Sequence, residues 1–295
     1  MPPTPSVLIV AVSYNSDRAA QRLVDSLVKA DLDGIALTVV VVDNTERPDS
    51  RELFTGLERA PVPVVCVKSP SNAGYLGAVR LGLGEYARRV GRVASWTLVS
   101  NVDVRFGDPG FFQRLALASR PEDVGVIAPS IWSDTYKRDR NPHLLRRPSP
   151  LAMRFYASLY SHFYVANLYI VGAWLASRVW HAARGVLDAA GRPETRSPVL
   201  REARDIYAAN GSCFALSAAF FQRGGNFDYP CFLFGEEIFV AETARGLGLR
   251  VVYDPTLRVY HDDHVSTGLL RSRQVVSYMR ASSVFLARRY FPLRS

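Results

Sequence analysis

The 295-residue sequence predicts an α/β protein built on a mostly parallel sheet, and three observations carry that expectation. Short valine- and isoleucine-rich runs alternate with helical stretches through the first 130 residues. The runs are apolar on both faces, as strands covered by helices on both sides must be. Polar residues close the runs, and in such sheets ligands bind beyond the carboxyl ends of the strands.

In chain order, VLIVAV (7–12) is a strand, followed by a helix from about Asp17, an acceptable helix cap. TVVVVD (38–43) leads through a loop to a helix near 50–58, and VPVVCV (62–67) precedes a helix over about 74–90. WTLVS (96–100) and GVIAP (125–129) add two strands. The middle of the chain changes character. YKRDRNPHLLRRPSP (136–150) is basic and broken by prolines; residues 155–177 then run for 23 positions without a formal charge, between Arg154 and Arg178. That length permits a membrane span. Ser158, Ser161, His162 and Asn167 argue against one, while seven aromatics and basic flanks favour a helix in the lipid headgroup region. A buried helical hairpin is the third reading. Beyond 205, SCFALS (212–217) is a strand, GEEIFVAETARGLGL (235–249) a helix ending on glycines, and RVVYDP (250–255) a strand closed by proline. Residues 270–290 form an amphipathic, arginine-rich helix.

Composition narrows the function. Hydrophobic residues are 48% and charged residues 21%, enough for a substantial core. A net charge of +9 favours anionic partners without choosing among nucleotides, nucleic acids and membranes. No nucleic-acid module is present, so no nucleic-acid partner is expected. Cys66, Cys213 and Cys231 lack metal-ligand spacing and read as free thiols in a reducing compartment. The first residues carry no secretory-signal pattern, so a cytoplasmic protein is expected. GYLGAVRLGLG (74–84) is not a dinucleotide fingerprint, and neither a phosphate-binding P-loop nor a serine nucleophile elbow occurs.

The polar strand ends form an ordered set: VSYN (12–15), VVDN (41–44), SNAGY (71–75), SNVDV (100–104), FGEE (234–237) and VYHDDHVS (259–266). With them, the sequence resembles the family 2 glycosyltransferases of the GT-A type nucleotide-sugar fold, particularly the rhamnosyltransferase-like branch. The resemblance covers residues 7–130 and about 207–290, including NGSCFALSAAFFQRGGNFD and GLGLRVVYDPTLRVYH. It implies one glycosyltransferase domain over 1–295. A nucleotide-sugar half (7–130) and a catalytic and acceptor half (205–270) would flank a basic, aromatic insert (137–200), and a C-terminal helix (271–295) would follow.

The resemblance also implies site roles. Ser13, Tyr14, Asn15, Asp43, Asn44, Asn72, Gly74, Asn101 and Asp103 would line the nucleotide sugar, with Asp43 on the edge of a uracil or thymine base. Asp103 would hold a divalent metal, magnesium or manganese, with His261 or alternatively His264. Glu237 would be the catalytic base, with Glu236 its partner. The chemistry is coherent: hard oxygen ligands suit a cation that neutralises a leaving diphosphate, and a carboxylate at a helix start can take the acceptor's proton. The sequence departs from the family at Asn101, where an acid is usual, at Glu237, where Asp is usual, and at Phe239 and Thr243. The implied activity is inverting transfer from a UDP- or dTDP-sugar to a glycan or lipid-linked acceptor in cell-surface polysaccharide synthesis. The expected setting is the inner face of the membrane, with peripheral contact through 150–185. The departures keep a second reading open, a nucleotide-sugar-binding scaffold without turnover.

Overall fold

The computed structural model describes residues 4–117, 121–189, 202–262 and 270–293. In chain order the elements are β1 (Ser6–Ser13), α1 (Asp17–Leu27), β2 (Ala36–Asp43), α2 (Arg51–Glu58), β3 (Val64–Lys68), α3 (Tyr75–Val90), β4 (Trp96–Asn101) and β5 (Val104–Arg105). Then come α4 (Phe111–Leu117), β6 (Val124–Ser133), β7 (Arg138–Asp139), α5 (Pro150–Leu159) and α6 (Phe163–Ala189). The chain continues with β8 (Arg204–Ile206), β9 (Cys213–Ser217), α7 (Ala218–Gln222), α8 (Glu236–Gly246), β10 (Arg250–His261) and α9 (Arg273–Tyr290). These group into two compact units, 1–147 with 202–264, and 148–201 with 265–295.

The first unit holds one sheet in the order β3-β2-β1-β4-β9-β6-β10-β5, with β7 and β8 pairing β6 and β10. Strands β3, β2, β1 and β4 are parallel, β9 runs antiparallel between β4 and β6, and β10 is again parallel to β6. Because β9 alone is reversed between β4 and β6, the carboxyl ends of β1, β2, β4, β6 and β10 lie on one edge. That reversal brings the start of β9 to the same edge, with Cys213 opposite Ser100.

Both faces of β1 and β2 are covered, as their continuous apolar runs predict. Val7, Ile9, Val39 and Val41 pack with Leu23, Leu27 and Leu57 of α1 and α2. The alternate residues meet α3, where a Cβ on Gly82 would stand 2.6 Å from Val10 Cγ1 and 3.0 Å from Val42 Cγ2. Gly82 thus sets how closely the helix approaches the sheet.

One sequence expectation is corrected here. Pro255 does not close the last strand: β10 continues through it to His261. The ladder to β6 shifts register between Asp254 and Arg258, and Asp254 Oδ1 accepts from both Thr256 N (3.0 Å) and Thr256 Oγ1 (2.6 Å). A proline without an N–H is tolerated at such an irregularity.

The second unit contains α5, α6 and α9. The uncharged 155–177 stretch is not one helix, because α5 ends at Leu159 and α6 starts at Phe163. Ser161 turns its hydroxyl back to Ala157 O (2.8 Å) at the break. Among the described residues no helix is long and apolar enough to cross a membrane. Ser149 caps α5 by accepting from Ala152 N (3.1 Å), with Pro150 at the first helical position. Ser272 caps α9 likewise, accepting from Val275 N (3.2 Å). Asn167 of α6 accepts from Arg271 N (2.8 Å) and donates to Arg271 O (3.3 Å), tying α6 to the entry of α9.

Gly82→Val should force α3 off the sheet and lower unfolding stability by about 2–3 kcal/mol, the range for overpacking a filled core. Urea denaturation followed by circular dichroism measures it; an unchanged midpoint would refute the close approach.

Candidate active site at the carboxyl edge of the sheet

The fourth strand turns after Asn101, and β5 returns antiparallel to the end of β10, with Val104 opposite His261. That pairing sets Asp103 beside His261: Oδ1 lies 3.3 Å from Nε2, and Asp262 N donates to Asp103 O (2.9 Å). Arg105 grips Asp262 through Nε (3.0 Å) and Nη2 (2.8 Å), fixing the strand end. Asp103 Oδ1 is buried and has no hydrogen-bond partner. An orphaned carboxylate oxygen next to an imidazole nitrogen is a donor pair suited to a divalent cation. Adjacent ligands of an octahedral ion at ~2.1 Å stand ~3.0 Å apart, close to this spacing. Among the described residues no cluster of three His, Cys, Asp or Glu is formed. His264, the alternative ligand, lies outside the described residues. Asn101 is half-exposed, its N–H donating to Ser212 O (2.9 Å).

The acidic pair stands on a strained turn. Phe234 (φ 73°) and Gly235 (φ 78°) are both left-handed, unusual for phenylalanine, and Tyr229 donates its hydroxyl to Phe234 O (2.5 Å). Helix α8 then starts at Glu236. Burial, and next the charge of Glu237, push the Glu236 carboxyl up to about 8, against N–H donation from Glu236 and Phe234. Burial thus favours the protonated form of Glu236. Glu237 is less buried and borders a water-sized apolar void with Phe214, Val240 and Val251. A Cβ on Gly211 would lie 3.0 Å from its Oε1, so the glycine at 211 leaves the room this carboxylate occupies.

Tyr75, not singled out in the sequence, connects these parts. Its hydroxyl donates to Gly211 O (2.7 Å). Burial, then Cys213, Glu236, Glu237 and Asp103, raise its pKa well above the usual value, keeping it a neutral donor. Its position right after Gly74, at the start of α3, was the available signal. Gly74 is itself required: with φ 72°, a Cβ there would collide with Phe232 O.

The nucleotide-side residues divide into exposed and braced. Tyr14 is about half exposed, and Asn15 is exposed and left-handed (φ 51°), its N–H donating to Thr45 Oγ1 (2.8 Å). Ser13 is fully buried, its Oγ without a partner. Asn44 and Asn72 are occupied with each other and the loop: Asn44 Nδ2 donates to Asn72 Oδ1 (2.8 Å) and Gly74 O (3.1 Å), and Asn44 Oδ1 accepts from Ala73 N (2.9 Å).

Asp43 has no exposed surface. It accepts from Thr45 N (3.1 Å), Arg47 Nε (2.8 Å), Ser50 Oγ and Lys68 Nζ (3.4 Å). Burial alone would raise its pKa, but those hydrogen bonds outweigh it and hold the carboxyl below its usual range. In this geometry Asp43 braces Arg47, which also forks onto Asp17 at 2.5 and 2.9 Å. Arg47 was legible only as a cation four residues after the acid.

A second buried carboxylate fixes α8. Glu242 takes two bonds from Arg147 (2.7 and 3.0 Å), two from Arg245 (3.2 and 2.9 Å) and one from Tyr207 (2.8 Å). Sequence gave no sign of it.

No family model matches the chain. It is 25% identical over 291 residues to the N-acetylglucosaminyl-diphospho-decaprenol L-rhamnosyltransferase of Mycobacterium tuberculosis, covering 96% of this chain and 84% of that protein. Among solved structures, a mannosyltransferase from Pyrobaculum calidifontis with GDP-Man and Mn2+ superposes with a TM-score of 0.51 at 13% identity, over 97% of this chain. This chain spans 64% of the mannosyltransferase's length. S. aureus TarS with UDP-GlcNAc gives a TM-score of 0.53 at 12% identity, covering 95% of this chain and 66% of that one.

Glu236→Gln tests the buried acid. Its pKa is raised on folding, so the stability associated with its protonation is full below about 4.5 and lost as pH rises through about 8. Glutamine should leave thermal stability unchanged at pH 5 and raise Tm by about 5 °C at pH 8.5. An equal Tm difference at both pH values would refute a protonated Glu236.

The chain has the fold of the GT-A glycosyltransferases and is rhamnosyltransferase-like over nearly its whole length.

Proposed function

We propose that this chain is an inverting glycosyltransferase that moves a sugar, a deoxyhexose such as rhamnose being the first candidate, from a UDP- or dTDP-linked donor to a lipid-linked glycan acceptor. The observation that carries the reading is the convergence, along one sheet edge, of the Asp103–His261 pair with the Tyr75–Gly211–Glu237 group. Similarity to a rhamnosyltransferase named for a diphospho-decaprenol acceptor supports the acceptor class.

Glu237 accepts the proton of the attacking hydroxyl while the oxygen bonds the anomeric carbon and the bond to the diphosphate breaks on the opposite face. Burial pushes Glu236 toward its neutral form, and Glu237 is the less buried of the two acids. Tyr75 holds the Gly211 carbonyl, and with it the space in which the Glu237 carboxylate stands. Asp103 and His261 would hold magnesium or manganese, with His264 as a further candidate. Such an ion supplies positive charge to the departing diphosphate. Tyr14 and Asn15 offer exposed surface to the base and ribose, while Asp43 supports them through Arg47 and the loop at Thr45. The free thiols Cys66, Cys213 and Cys231 suit a reducing cytoplasmic setting at the inner membrane face.

Turnover of a nucleotide-sugar panel with magnesium or manganese tests the assignment. Glu237→Gln should lower kcat by about 10²–10⁴ with donor KM little changed, the usual range for losing a general base. Gly211→Ala should lower kcat by displacing that carboxylate, and Asp103→Ala should abolish metal-dependent nucleoside diphosphate binding in calorimetry. An α-linked donor should give a β-linked product by NMR. Tight donor binding without turnover would replace catalysis by the scaffold reading.

A further inference from the structure

Charge is divided unevenly between the two units. Residues 148–201 and 265–295 contain twelve arginines, no lysine and two acids, Asp188 and Glu194, a formal +10. The remaining residues sum to −1, so the chain's whole positive excess belongs to this unit. Arg154, Arg178, Arg273, Arg280, Arg288 and Arg289 are exposed.

Among the described residues, the same unit displays apolar surface that none of its neighbours covers. Helix α6 turns Ala166 and Asn167 inward, while Tyr164 and Leu168 are each nearly three-quarters exposed. Val165, Tyr169, Trp174 and Leu175 are exposed beside them. Phe155 and Tyr156 of α5 extend the patch, their rings 6.0 and 6.5 Å from Tyr169. Arginines edge it: Arg178 stacks 4.8 Å above Trp174, and Arg273 of α9 lies 4.9 Å from Phe163 and 5.8 Å from Tyr164. Exposed large apolar residues occur on the other unit as well, but without this concentration of arginine. A contiguous apolar patch marks a binding surface rather than ordinary scatter.

We propose that this unit docks the protein on an anionic lipid bilayer. The outer face of α6, with Phe155 and Tyr156, enters the headgroup region, and the arginines of α5, α6 and α9 meet the acidic headgroups. Charge complementarity selects this occupant. A second copy would bring another unit of formal charge +10 against the first and be repelled. Aromatic rings with arginine at their edges match the layered polarity of a membrane interface. Shallow seating also agrees with the helices, none of which among the described residues is long and apolar enough to span. The proposal enlarges the contact expected from 150–185 by adding α9, and it stands apart from the proposed reaction.

Flotation of the full-length protein with vesicles tests it, with no donor or acceptor present. Phosphatidylcholine vesicles containing phosphatidylglycerol should carry the protein. Pure phosphatidylcholine, or about 0.5 M salt, should weaken partition about tenfold or more, since each arginine near an acidic surface contributes on its own. Combined Arg273→Gln, Arg280→Gln and Arg288→Gln should give a similar loss. Leu168→Glu with Leu175→Glu, both exposed, should abolish flotation while leaving the thermal melt unchanged. No flotation with the acidic vesicles, or flotation untouched by both variant sets, would overturn the proposal. So would a dimer in sedimentation that the leucine variants convert to monomer. Vesicle binding without sugar transfer would reject the proposed reaction alone.

Discussion

The short pairing of β5 with the end of β10 is the contact on which the site depends. Two residue pairs, Val104 with His261 and Arg105 with Tyr260, join segments more than 150 positions apart in sequence. They bring Asp103 and His261 to 3.3 Å. Without that ladder, Asp103 would be an ordinary acid after a strand. The ladder in turn requires β10 to run on past Pro255, and the irregularity around Asp254 and Thr256 permits it. Arg105 on Asp262 then holds the end in place. The Asp103–His261 pair is thus made by strand geometry rather than by a local acidic motif.

Buried carboxylates behave in two different ways here, and their partners decide which. Asp43 and Glu242 are surrounded by cations and hydroxyls that outweigh desolvation, so both stay ionised and fasten backbone segments. Glu236 has only backbone donors and a neighbouring acid, so desolvation wins and it keeps its proton. Glu237, one residue on, has room because residue 211 is glycine. Breaking the Glu242 network would strand a partly buried Arg147, which is why the network fixes the helix carrying the acidic pair.

The division of charge between the units follows the same logic at larger scale. In the first unit acids and bases nearly cancel, and many of its charges pair with one another. In the second, arginines stand beside aromatic rings with almost no acids to neutralise them. That composition favours an anionic neighbour of large area over self-association.

Periodicity and strand-end polarity made the α/β alternation readable in advance, because buried parallel strands need continuous apolar runs and each run's end must turn polar. The ordered strand ends, with the resemblance they carry, singled out Asp103, His261, Glu236 and Glu237 as candidates. Sequence could not show that Asp43 and Asn44 are occupied by protein partners, since Arg47, Ser50, Lys68 and Asn72 act through folded distances. Nor could it show Tyr75 reaching Gly211, 136 positions away, or the arginines holding Glu242. It left the 155–177 stretch open between span, interface and core; the structure breaks it at 160–162 and ties α6 to the entry of α9 through Asn167. Sequence by itself determined which residues stand at the edge of the sheet. Tertiary structure alone decided which carboxylates are free to act, because desolvation and pairing depend on what the fold brings beside each one.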